Sequence, residues 1–285
     1  MIIMWPFVLD KIRKQGKSAV LTEKIDAVAW SSVGRVRENN EDNYLLGQHY
    51  NVNSEAESSF RLYAEDNLLA GVFDGMGGGE AGELASLSAS RIFSETAKAI
   101  QKTAVRQEID QQLRAAFRDA NNAVVDLQKQ CRVLGTTGTV VYCRNNQYKV
   151  YHLGDSRAYL FREGLLHRLT RDQTLAQMKM ELGLYGENDA EIETEKHQLT
   201  EYIGRDWTRE SIFPVENAWE QLVPGDILLL CSDGLYDCCS DAEFVEILVR
   251  ERRPESAAEE LIKKANDHGG IDNITVVLLY YSFGE

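Results

Sequence analysis

The sequence predicts an α+β domain in which paired helices cover the outer faces of β-sheets. Three observations carry that reading. Short apolar runs at Leu68–Phe73, Val150–Gly154 and Ile227–Cys231 have the length and bounding turn residues of buried strands. Two long segments after the first run, and two shorter ones after the last, carry the pattern of helices with one apolar stripe. The order is strands, helix pair, strands, helix pair, strand, with no internal repeat and no low-complexity linker. By itself that order suggests mixed sheets.

Residues 1–25 read as an N-terminal arm. Apolar Met1–Leu9 precedes Lys11, Arg13, Lys14 and Lys17, the reverse of a signal peptide. Such an arm packs on the domain or frays in solution; an interfacial membrane or partner anchor is the sharper alternative. The domain itself spans 26–285. Its first strands are Asp26–Ser31, Asp42–Gly47 and Leu68–Phe73, with polar Gln48–Ser59 as a hairpin loop between the second and third. Ala85, Ala89, Ile92, Phe93, Ala97 and Ile100 recur at spacings of three and four. Ile109, Leu113, Ala116, Phe117, Ala120, Val124 and Leu127 do the same. The short link between them predicts an antiparallel helical hairpin.

Strands return at Thr137–Arg144, Tyr148–Leu153, Ala158–Arg162 and Leu166–Leu169, with Asn145-Asn146 and Glu163-Gly164 as hairpin turns. Residues 171–220 lack periodicity and hold an acid-rich tract from Glu187 to Glu201, which reads as a lid or binding loop with short helices. The Ile227–Cys231 strand, helices at Ala242–Arg250 and Glu255–Asn266, and a final strand at Ile274–Tyr280 complete the order.

At 285 residues the chain can bury a large core. A net charge of -14 argues against nucleic acid as a partner. The five cysteines (Cys131, Cys143, Cys231, Cys238, Cys239) are odd in number and lack C-x-x-C spacing. They suit free thiols in a reducing, cytoplasmic compartment. No stretch is long enough to span a membrane.

Chemistry concentrates at strand ends. Asp74-Gly75 and Asp233-Gly234 each close an apolar run, Asp155 follows Val150–Gly154, and Asp272 stands just before Ile274–Tyr280. Carboxylates gathered on one rim repel each other unless a cation holds them. The five histidines form no close pair, so an all-oxygen ligand set favours Mg2+ or Mn2+ over zinc. Two such ions about 3.5–4 Å apart would activate a bridging water, and phosphoester hydrolysis suits that kit. In Gly34–Asn43, Arg37 precedes Glu41 and Asp42; its fork suits a phosphate while the acids serve the metals. Each element alone could be a plain turn or a solvated charge cluster.

In series, these blocks resemble the metal-dependent serine/threonine phosphatases of the protein phosphatase 2C family, in bacterial form. GRVRENNEDN, GVFDGMGGGEAGELAS, LGTTGTVV, YHLGDSRAYLFREGLLHRLTRDQT, GDILLLCSDGLYD and GGIDNITVVLL fall in the family's order over about residues 27–282. The resemblance implies a four-layer α-β-β-α sandwich of two antiparallel sheets, each covered by a pair of antiparallel helices. It implies that Asp74 bridges two Mn2+ or Mg2+ ions and that Gly75 offers one of them its carbonyl. Glu41 would bind the second ion, through water if its reach is long, and Asp233 and Asp272 would complete the first. Asp42 would orient metal-bound water, and Arg37 would hold the substrate phosphate. Asp155, with Asp233, matches a third, weaker metal site. The segment from Asp172 to about 220 corresponds to the family's flap.

Two departures stand out. Met76 occupies the place of a histidine in eukaryotic members and cannot donate a proton. Asp172-Gln173-Thr174 replaces the more usual D-H-S, and no His-Pro follows around His197.

Rival chemistries fit poorly. No cysteine is followed six positions later by arginine, and Gly16-Lys17-Ser18 lacks the earlier glycine of a phosphate-binding loop. A scaffold that kept the fold and lost catalysis is the alternative, and it predicts gaps among the ligands. The expected partners are phosphoserine and phosphothreonine proteins made by a cognate kinase. The acidic tract, if near the site, should favour basic flanking sequences.

Overall fold

The computed structural model describes residues 23–283, except 66, 78–81, 104, 130–133, 187–188, 190 and 206–212. Most of the expected N-terminal arm, Cys131, Gly78-Gly79 and part of the acidic tract therefore lie outside the described residues. The first strand, β1 (Glu23–Ser32), begins three residues inside the stretch read as an arm.

Two antiparallel sheets form the centre. The remaining strands are β2 (Asp42–Leu46), β3 (His49–Tyr50), β4 (Glu57–Ala64), β5 (Asn67–Gly77), β6 (Leu134–Thr136), β7 (Gly138–Arg144), β8 (Gln147–Leu153), β9 (Arg157–Arg162), β10 (Leu165–Arg168), β11 (Val215–Glu216), β12 (Glu220–Gln221), β13 (Ile227–Cys231) and β14 (Ile274–Phe283). One sheet runs β10-β9-β13-β14-β1-β4; the other runs β11-β8-β7-β5-β2-β3, with β12 beside β8 and β6 beside β5. Every named strand pairing is antiparallel, which corrects the mixed-sheet expectation from element order.

Alternation along the strands builds three apolar layers. Tyr44, Leu46, Leu68, Ala70 and Val72 face Ala27, Ala29, Leu228, Leu230, Val277 and Leu279 across the gap between the sheets. Leu45, Leu69 and Phe73 point the other way, under α1 (Gly82–Ile100) and α2 (Arg106–Leu127). There Phe93 meets the edge of Phe117 at 4.9 Å, so the predicted helix pair packs through the stripe its sequence carries. On the opposite outer face, Leu229, Cys231, Val276 and Leu278 support α6 (Asp241–Arg250) and α7 (Pro254–Asp267). Ser240 and Glu243 start α6 with a reciprocal capping box, and Pro254 starts α7 at its first turn. Helix, sheet, sheet, helix: the expected four layers are present.

Two local expectations differ from the structure. Gln48–Ser59 is not simply a hairpin loop, because it holds β3 and the start of β4, which pairs with β1 from Ser32↔Glu57 to Ile25↔Ala64. The 171–220 segment has α3 (Leu175–Glu181) and α4 (Glu191–Glu195), but its end adds β11 and β12 to the edge of β8 rather than to a flap. Asp233-Gly234 opens α5 (Asp233–Tyr236), a helical turn. The turns at Asn145-Asn146 and Glu163-Gly164 are as predicted, with positive φ at all four residues. Among the described residues no helix is long and apolar enough to cross a membrane.

Candidate active site

Strand ends from both sheets meet at one rim around a cavity of about 390 Å³. Arg37, Glu41, Asp74, Gly75, Asp155, Asp233 and Asp272 all line it, together with Met76, Thr137, His197, Leu199 and Asp237. Asp42 is the one predicted site residue that does not line it. Its Cα lies opposite Asp74 in the β2–β5 ladder, and its buried Oδ2 accepts a 2.6 Å hydrogen bond from the Ser232 hydroxyl.

Backbone contacts aim these acids. The Asp74 amide donates to Thr137 Oγ1 at 2.9 Å, and the Thr137 amide donates to the Asp74 carbonyl at 2.8 Å, which fixes the end of β5. The Glu41 carbonyl accepts from Ser86 Oγ and from the Gly75 amide, while its Oε1 accepts from the Gly82 amide at the start of α1. Gly75 is confined between these elements: a Cβ there would lie 2.3 Å from the Gly82 carbonyl oxygen and 2.5 Å from that of Glu41. A Cβ at Gly234 would lie 2.0 Å from the Asn273 carbonyl oxygen, so only glycine lets α5 approach the start of β14.

Asn273 ties the rim together. Its Oδ1 accepts from the Glu41 amide at 2.8 Å, and its Nδ2 donates to the carbonyls of Val33 and Asn39 at 3.0 and 2.9 Å. Its own amide donates to Asp272 Oδ1 at 2.8 Å. Asp272 Oδ2 in turn pairs with Arg37 at 2.6 Å.

The electrostatics are those of crowded carboxylates. Burial, then repulsion from Asp233 and Asp42, holds Asp74 well above the usual carboxylate range; burial and Asp233 do the same to Asp155. Burial raises Asp272 and Glu41, and pushes Asp42 up to about 7. The segment between β10 and β11 contributes His197, whose Nδ1 lies 3.1 Å from Asp233 Oδ2 and whose Nε2 lies 3.1 Å from Asp237 Oδ2. Those two carboxylates push it up to about 10. Arg37 and His197 are the cationic side chains lining this acidic cavity. A set of carboxylates and one confined glycine carbonyl fits a hard divalent cation, which would relieve the repulsion.

Sequence reasoning passed over Thr137, Ser232, Asn273, His197 and Asp237 as site residues. For Asp237 the available signal was its spacing of four from Asp233, which puts both on one face of a helical turn.

The sequence profile of protein phosphatase 2C matches residues 27–179 and 225–274. The chain belongs to the protein phosphatase 2C family. It is 32% identical to the serine/threonine phosphatase stp of Listeria monocytogenes, over 86% of this chain and 92% of that one. Among solved structures, the S. agalactiae serine/threonine phosphatase matches with a TM-score of 0.76 and 27% identity, over 90% of this chain and 99% of that one. The catalytic domain of the serine/threonine protein phosphatase PstP, solved with two manganese ions, matches with a TM-score of 0.73 and 30% identity, over 92% and 100%. This protein is accordingly an enzyme, a serine/threonine phosphatase of the 2C type.

Proposed function

We propose that the chain hydrolyses phosphoserine and phosphothreonine in proteins at the cavity bounded by Asp74, Asp233 and Asp272. The observation that supports it most directly is the convergence of five acids from remote parts of the chain, Glu41, Asp74, Asp155, Asp233 and Asp272, on one cavity beside Arg37. Asp74, Asp233, Asp272, Glu41 and the Gly75 carbonyl would hold two Mn2+ or Mg2+ ions, with Asp155 and Asp233 as the donors for a third. Bound there, the ions supply Lewis acidity toward phosphoryl oxygens and lower the pKa of water.

The remaining work falls to the protein. Arg37, half exposed at the cavity mouth, can turn its guanidinium from Asp272 to two phosphate oxygens. Asp42 sits behind Asp74 with one oxygen fixed by Ser232, so it can orient water through the rim without opening to solvent. Asn273 keeps the Arg37–Glu41 loop in register with Asp272. The wall at Met76 has no proton to give, which leaves leaving-group protonation to water or to a neighbouring acid.

His197 and Leu199 bring the acidic tract to the cavity. Much of its charge is already paired, however: Glu195 with Lys179, Glu201 with Arg205, and Glu193 with Lys196. The preference for basic flanking residues is therefore modest and rests on the rim acids. Substrates made by a cognate kinase in a reducing cytoplasm suit the free thiols of Cys143, Cys231, Cys238 and Cys239.

The experiment is phosphopeptide and p-nitrophenyl phosphate hydrolysis with added Mn2+. Activity abolished by EDTA, restored by Mn2+ and lost in Asp233→Ala supports the assignment. Turnover that ignores both EDTA and Asp233→Ala removes it.

A further inference from the structure

A second group of ligand-type side chains lies on the outer helical layer, behind the rim. Cys239 is in the link between α5 and α6, Glu243 in the first turn of α6, and His268 directly follows α7. One ligand atom from each lies within 4.8 Å of the other two. We propose that Cys239, Glu243 and His268 form a separate metal site selective for Zn2+ or a similarly thiophilic divalent ion. The proposal is independent of the assignment of the carboxylate cavity.

Several contacts already orient the three donors. His268 Nδ1 donates to the Cys238 carbonyl at 2.6 Å, which fixes the tautomer and leaves the Nε2 lone pair to face Glu243. Nε2 stands 3.7 Å from Glu243 Oε1, against about 3.3 Å for two ligands on one tetrahedral zinc ion. The other carboxylate oxygen of Glu243 is anchored by the Ser240 amide at 2.9 Å and the Ser240 hydroxyl at 3.0 Å, so Oε1 is the one left to coordinate. The Cys239 thiol is free and buried.

The donor set explains the selectivity. A thiolate and an imidazole favour Zn2+ over Mg2+, while the all-oxygen rim favours the reverse. Binding releases the Cys239 thiol proton and forms a sulfur–metal bond. Thiolate and carboxylate then balance the two positive charges, and water fills the fourth position. Two features oppose the cation: burial pushes the Cys239 thiol up to about 12, and Lys264 Nζ lies 3.1 Å from Glu243 Oε1. The lysine's flexible stem lets it swing aside, at a cost in affinity. An ion here would tie the segment following Asp233 and Asp237 to the segment preceding Asp272, bracing both sides of the rim from outside.

The test uses the full chain with saturating Mg2+ and Co2+ as the spectroscopic probe. One thiolate-to-cobalt charge-transfer band per chain is expected, displaced by stoichiometric Zn2+. The band should vanish in Cys239→Ser. Co2+ affinity should fall at least tenfold in His268→Gln, an exposed position that keeps the test valid if the buried serine variant misfolds. Lys264→Met should bind more tightly. A wild-type chain with no thiolate band, a band unchanged in Cys239→Ser, or an affinity unchanged in His268→Gln would overturn the site.

Discussion

Asn273→Ala isolates the scaffold of the rim from its chemistry. The side chain is buried and makes three hydrogen bonds, to the Glu41 amide and to the Val33 and Asn39 carbonyls. Alanine removes all three and leaves these backbone groups to find water. An unmet buried polar group costs about 1–3 kcal/mol, and partial hydration of the exposed 35–39 loop reduces the sum. The expected loss is about 2–4 kcal/mol, read as a lower urea midpoint at unchanged m-value. Because the freed loop carries Arg37 and Glu41, the Mn2+ concentration for half-maximal activity should also rise about tenfold or more. Asn273→Asp keeps the acceptor for Glu41 and should fall between the two. A loss below about 0.5 kcal/mol with an unshifted Mn2+ dependence would refute the reasoning that this side chain organises the rim.

Three further outcomes follow from the same geometry. His152 is buried, its Nε2 donating to the Arg171 carbonyl at 2.9 Å, and burial lowers it to about 4. With an unfolded value near 6.5, the unfolded chain binds the proton first. Its contribution is therefore intact above about pH 6.5 and is lost as pH falls toward 4, by up to about 3 kcal/mol; a pH series of urea melts in which His152→Gln falls just as steeply contradicts this. Gly234→Ala drives a Cβ to 2.0 Å from the Asn273 carbonyl oxygen and should abolish activity and lower Tm by several degrees; a Tm within a degree of the parent would show that α5 can shift freely. Arg37→Ala should lower phosphopeptide kcat/KM about 10–100-fold, equivalent to about 1.4–2.7 kcal/mol, with little change in Tm because the pair with Asp272 is half exposed; unchanged kcat/KM would remove Arg37 from phosphate binding.

The buried strands and both helix pairs were legible because their apolar residues repeat with the period of the element that buries them. The Leu68–Phe73 run of β5 is fully buried, β7, β8 and β13 bury nearly every side chain, and α1 and α2 carry unbroken stripes. β4 escaped because it is an edge strand: Glu57, Ser59, Arg61 and Tyr63 alternate with only partly buried Ser58, Phe60, Leu62 and Ala64, which reads as polar sequence. Sheet direction was not legible from element order, since hairpin-linked and crossover strands give similar runs; the family resemblance supplied it. The acids at strand ends announced themselves through charge, and Asp74 and Asp233 also through the glycine that follows each. Asn273, Ser232 and Thr137 did not, because neutral hydrogen-bonding residues carry no signal until their partners Glu41, Asp42 and Asp74, 232, 190 and 63 residues away in sequence, are placed beside them. His197 was equally silent, as its role depends on how the segment between β10 and β11 folds back onto Asp233 and Asp237.

The central claim is that remote carboxylates form one cage for two divalent ions. Equilibrium dialysis with Mn2+, with free and bound metal counted by electron paramagnetic resonance, tests it most directly. The account predicts at least two bound ions per chain, reduced in both Asp74→Asn and Asp233→Asn while the fold persists. Binding of fewer than two ions by the parent, or a stoichiometry and affinity unchanged in Asp74→Asn, would contradict it.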